Sequence, residues 1–133
     1  MKKAVLLIFF IISCSKNDVK IVADSNFNDN EKVFLVQYLE NRPILKDSTL
    51  IKNGKFSFTD TITYPEMHYL FFKDIMGNIP LILEPGEIKL KIFKDSLSSS
   101  KVSGTKSNDD FKKYKNETLK FTNELSKIDQ EIN

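Results

Sequence analysis

At 133 residues the chain is sized for one domain with a core of its own. Twenty Lys and Arg against 18 Asp and Glu leave too little basic excess to neutralise a run of phosphates, which argues against nucleic acid as a partner. One histidine, His68, and one cysteine, Cys14, exclude a zinc site of the usual Cys and His kind and a Cys-x-x-Cys redox pair.

Lys2 and Lys3 open the chain, residues 4–12 are an apolar run, and Ser13 and Cys14 close it. Basic, apolar, then small residues is the three-part build of an export signal. The run is far shorter than the roughly 20 residues a membrane-spanning helix requires. Ile11-Ile12-Ser13-Cys14 resembles the lipobox of bacterial lipoproteins. The resemblance implies that residues 1–13 are removed as a signal peptide and that Cys14 is acylated as the first residue of the mature chain. It also implies a lipid-anchored place in the bacterial cell envelope, at the outer membrane facing the periplasm. A lone thiol has no internal disulfide partner in an oxidising compartment, and acylation removes it. Without Lys2 and Lys3 the basic and acidic residues balance, so the mature chain is formally neutral.

Residues 14–18 form a polar tether, and 19–23 read as a first strand. Asn and Asp crowd residues 24–31, a loop. Over 33–39, Val33, Leu35 and Leu39 share one face and Phe34, Val36 and Tyr38 the other, which predicts a strand covered on both sides. Residues 41–46 read as irregular around Pro43. Asn53-Gly54, between Thr49-Leu50-Ile51 and Lys55-Phe56-Ser57-Phe58, predicts a tight hairpin with Phe56 and Phe58 on one side. Residues 67–72 form an apolar strand and 74–78 a turn. Strands at 79–83 and 88–93 flank Glu84-Pro85-Gly86-Glu87, a type II turn signal and so a second predicted hairpin. A serine-rich loop at 96–100 and a short strand at 101–103 precede Gly104.

From Asn108 the period changes. Phe111, Tyr114, Thr118, Phe121, Leu125, Ile128 and Ile132 fall at alternating spacings of three and four, one apolar seam on a helix. Ser107 or Asn108 would cap its start, and Asp109 and Asp110 suit its positive end. Two readings stay open: a helix packed on the β-domain, or a connector whose seam (Phe111, Tyr114, Phe121, Leu125, Ile128, Ile132) meets a protein partner. The fold class is mainly β: an antiparallel sandwich or small barrel over 19–104, then a C-terminal helix over 105–133, which on the second reading is a truncated connector. No internal repeat or βαβ alternation is evident.

Several pieces together resemble a known family. They are Asp47-Ser48-Thr49, Asn53-Gly54-Lys55-Phe56-Ser57-Phe58, Ile82-Leu83-Glu84-Pro85-Gly86, and Gly104-Thr105 followed by Asn108. The family is the uncharacterised β-rich domain at the N-terminus of lipid-anchored thioredoxin-like proteins of the alkyl-hydroperoxide-reductase/thiol-specific-antioxidant type, mostly in Bacteroidota. The resemblance covers roughly residues 19–114. Such proteins usually continue through a helix into a thioredoxin-like domain with redox cysteines, which this sequence does not contain, and the glycine common after the first strand is replaced by Val22 and Ala23. Oxidoreductase activity is therefore not carried over, and no catalytic, cofactor-binding or metal-binding residue is assigned.

Other polar residues weigh toward structure. His68 has no nucleophile or orienting carboxylate beside it in sequence. Asp47-Ser48-Thr49 suits local backbone bonding. Glu84 and Glu87 flank a turn, and the helix lysines are balanced by acids as on a solvated face. The aromatics, eleven Phe and four Tyr without Trp, look like core. The expected role is a non-catalytic interaction or spacer domain without a cofactor, bound to the membrane by lipid and to a protein by its helix. Alternatives are the front fragment of a thiol-disulfide oxidoreductase, and a β-domain with a pocket between its sheets for a hydrophobic or cell-wall solute.

Overall fold

The computed structural model describes residues 16–132. The expected signal peptide and Cys14 lie outside the described residues. Eight strands come first: β1 (Asp18–Ser25), β2 (Lys32–Leu39), β3 (Arg42–Leu50), β4 (Lys55–Thr61), β5 (Glu66–Phe72), β6 (Ile79–Leu83), β7 (Gly86–Ile92) and β8 (Lys101–Ser103). One helix, α1 (Lys106–Ile132), follows. Asp18, read as tether, is thus the first residue of β1.

Alternation builds the sheets. On β7, Ile88, Leu90 and Ile92 are buried while Lys89 and Lys91 are exposed. On β4, Phe56 and Phe58 are buried and Ser57 and Thr59 are not. Successive side chains point to opposite faces, so each strand offers one apolar face. The strands form two four-stranded sheets, β4-β1-β7-β8 and β3-β2-β5-β6. Their apolar faces share one core, with Val19, Ile21 and Ile88 from the first sheet and Val33, Leu35 and Leu70 from the second, each at most 1% exposed. The sheets do not close on each other, so the mainly β fold is a sandwich and not a barrel. Among the described strands β1 and β7 alone run parallel, Ile21 beside Ile88; the other pairs are antiparallel, as expected.

Neither predicted hairpin forms. Asn53-Gly54 does make the tight turn, with φ of 51° and 72° and reciprocal backbone bonds between Lys52 and Lys55 of 3.0 and 2.9 Å. The strands beyond it part at once, β3 into one sheet and β4 into the other. Ser25 ties the turn to β1: its N–H and its hydroxyl both donate to the Gly54 carbonyl at 2.8 Å, continuing the ladder that pairs β4 with β1. Glu84-Pro85 likewise crosses from β6 to β7, which lie in different sheets.

A tight hairpin that does form joins β2 to β3 through Glu40 and Asn41, whose φ values of 50° and 63° fit a mirror-image turn. Residues 41–46, read as irregular, therefore belong to a strand from Arg42 onward. Pro43 is tolerated because β3 is an edge strand, where a missing N–H breaks no ladder. The cover predicted on both faces of β2 is complete on the core face and partial on the other, where Val36 is buried and Phe34 half-buried. The outward face of its sheet carries Phe34, Tyr38, Leu45, Met67 and Tyr69, and Tyr38, Leu45 and Met67 are exposed.

Candidate functional site: a projecting helix with an exposed seam

The first turn of α1 is fixed to the sandwich by side chains that replace missing backbone partners. Asn108 is buried, and its Oδ1 accepts the Ile82 N–H at 2.8 Å while Nδ2 donates to the Ile82 carbonyl and the Thr105 hydroxyl, each at 2.7 Å. The amide thus acts as a one-residue strand on the free edge of β6. The predicted caps are corrected here: neither Ser107 nor Asn108 supplies the capping oxygen. Glu84, from the β6–β7 link, takes the Ser107 N–H on Oε1 and the Ser107 hydroxyl on Oε2, both at 2.7 Å, which puts a carboxylate at the positive end of the helix. Burial works against its charge, yet the bonds from Ser107 hold its carboxyl below the usual range. Asp109 accepts the Gly104 N–H at 3.2 Å, and Asp110 pairs with Lys106 at 2.7 Å. Lys115 donates to the Ser98 carbonyl at 3.2 Å.

Beyond this base the helix leaves the sandwich. Its 27 residues span about 40 Å, and every described residue from Lys112 to Ile132 is exposed. A crevice of about 400 Å³ separates its first half from the sandwich edge, lined among others by Pro80, Leu97, Val102, Phe111, Lys115 and Leu119. Phe111 is half-buried there. The rest of the seam is open, Phe121 at 63% and Ile128 at 51% exposure, with Tyr114, Leu125 and Ile132 alike exposed. At about 100° of turn per residue, the crevice-lining face lies about a quarter turn from the seam, so the sandwich does not cover it.

The seam has a heptad period, and the charges share it. Lys113, Lys120 and Lys127 recur every seventh residue, and so do Glu117, Glu124 and Glu131. This corrects the reading that no repeat is present. The blocks 111–117, 118–124 and 125–131 match position by position in these residues, a period far shorter than that of a domain repeat.

The other candidates resolve as structure. Asp47 accepts the Ser48 N–H at 2.7 Å, a local backbone bond. Glu84 caps α1 while Glu87 faces Lys20 and Lys89 at 3.7 and 3.8 Å, so the two carboxylates serve different partners. His68 is fully buried on β5, with Nδ1 3.3 Å from the Glu66 carbonyl. A carbonyl partner makes Nδ1 the protonated nitrogen and leaves Nε2 an acceptor, with no hydrogen-bond partner among the described residues. The aromatics divide: Phe27, Phe56, Phe58 and Phe72 are core, whereas Tyr38, Tyr64, Tyr114 and Phe121 are exposed.

Among the described residues no group of His, Cys, Asp and Glu is placed to hold a metal ion, and no helix is long and apolar enough to cross a membrane. Comparison with curated proteins and with solved structures gives no match. The match to a protein family begins with β1 and ends at Phe111, so it takes in the sandwich and the helix anchor and stops where the open seam starts. Over residues 18–111 the chain belongs to the family described as Domain of unknown function (DUF4369).

Proposed function

We propose that the protein is a non-catalytic interaction and spacer module of the bacterial envelope. The sandwich is a platform held near a membrane through acylated Cys14, and α1 is a stalk that offers its seam to a protein partner. One observation carries the reading: an amphipathic helix ordinarily buries its apolar stripe, and here Tyr114, Phe121, Leu125, Ile128 and Ile132 remain exposed. Contiguous exposed apolar surface marks a site of association. The core side chains occupy the space between the sheets, which favours this reading over a solute pocket there. The resemblance to the N-terminal domain of lipid-anchored thioredoxin-like proteins supports a spacer role, since in those proteins the domain stands between the lipid and a redox domain.

The test is a photo-crosslinking residue placed at Phe121, on the seam, or at Asn123, on the opposite side of the helix, in cells that make the full chain. The expected result is a discrete protein adduct from position 121 and none from 123. No adduct, or equal adducts from both, would contradict the seam. For the anchor, Cys14→Ser is expected to move the protein from the membrane fraction to the soluble one, and continued membrane retention would count against it.

A further inference from the structure

We infer that the partner surface is itself an α-helix with an apolar heptad seam and a row of Lys or Arg along the flank that meets Glu117, Glu124 and Glu131, the two helices forming a two-stranded coiled coil. This rests on the seam reading above and adds the chemistry of the occupant. With Phe111, Thr118, Leu125 and Ile132 at the first seam position of each heptad, Tyr114, Phe121 and Ile128 take the second. A seven-residue repeat, apolar at every seam position but Thr118, is the pattern that supercoils with a second helix. The residues flanking such a seam decide which helix is accepted.

The two flanks differ. One is Glu117, Glu124 and Glu131, all exposed. The other is Lys115, Thr122 and Asp129, with no consistent sign. Lys115 also lies on the crevice side, bonded to Ser98, so the sandwich obstructs that flank near the base. The glutamate flank lies on the far side of the helix from the crevice, and a helix settling on the seam meets it freely. Lys113, Lys120 and Lys127 sit one step further from the seam than the glutamates, pointing outward from the contact.

A second copy is a poor occupant. In a parallel pair Glu117 would meet Thr122 and Glu124 would meet Asp129 of the other copy, one neutral and one repulsive contact, and the one attractive contact, Asp110 with Lys115, falls at the base that the sandwich obstructs. In an antiparallel pair the glutamate row would meet itself. Like charges across a seam select against self-pairing, and a basic row turns each of these contacts favourable.

The experiment uses two synthetic three-heptad peptides with identical Ile and Leu seams, one carrying Lys at both flanks and one carrying Glu, titrated against the full chain. The Lys-flanked peptide is expected to bind roughly tenfold more tightly, three exposed charge contacts amounting to about that. The preference should fade at about 1 M salt. In Glu117→Lys/Glu124→Lys/Glu131→Lys it should reverse toward the Glu-flanked peptide, a gain that misfolding cannot imitate. Equal binding of both peptides would overturn the charge inference and leave the seam reading in place. Binding of neither would overturn both. A dimer of the full chain that Phe121→Glu dissolves would overturn the inference by making a second copy the occupant.

Discussion

Asn108 and Glu84 hold the base of α1 with single side chains, and each carries a measurable share of stability. Asn108→Ala would leave the Ile82 N–H and carbonyl without their partners, at a cost of about 1–3 kcal/mol read from a shifted urea midpoint. Gly54 is bound by conformation and by space: its φ is 72°, and a Cβ would stand 2.5 Å from the Ser25 carbonyl oxygen. Gly54→Ala should therefore cost at least about 1–3 kcal/mol by the same measurement. His68 sets a pH dependence. Burial holds its imidazole below the ordinary 6.5, against the pull of Glu66. The unfolded chain takes up the proton first as pH falls, so stability is full above about 6.5 and declines from there toward the lowered folded value. Melting at about pH 7.5 and about pH 5.5 should show this loss, and His68→Leu should flatten it. The carboxyl of Glu84 acts in a separate window. Its stabilisation is present above its ordinary 4.5 and is lost as pH falls through its lowered folded value.

At the scale of elements, α1 divides into a base that is part of the fold and a distal half that is not. A chain ending at Leu119 should melt within about 0.5 kcal/mol of the full chain in stability, because residues 120–132 bury nothing among the described residues. A large loss on that truncation would place the seam in the fold and not at an interface. The same division shows what the residues disclosed. The strands were legible because alternation is a local property, as in Ile88 to Ile92, and the seam was legible because its period is unbroken. Sheet membership was not legible. Asn53-Gly54 announces a turn truthfully, but whether the strands beyond it stay paired depends on partners distant in sequence, here the whole of β1 with Ser25 at its end. The cap from Glu84 was hidden for the same reason, and the edge position that lets Pro43 sit in β3 is a property of the assembled sheet. The glutamate row was readable all along, by aligning the helix on itself.

The described residues form a filled sandwich followed by a stalk. The family match covers the sandwich and the first turns of α1, and the open seam extends past it. The apolar outer face of the second sheet, with Tyr38, Leu45 and Met67 exposed, is a further surface open among the described residues. The central claim is that the seam of α1 is covered in the cell and bare in the isolated protein. Amide hydrogen exchange tests it most directly, comparing residues 120–132 in the purified full chain and in isolated native membranes. The distal helix is expected to exchange fast in the purified protein and to show marked protection in the membranes, with the sandwich slow in both. Equally fast exchange of the distal helix in both preparations would contradict it.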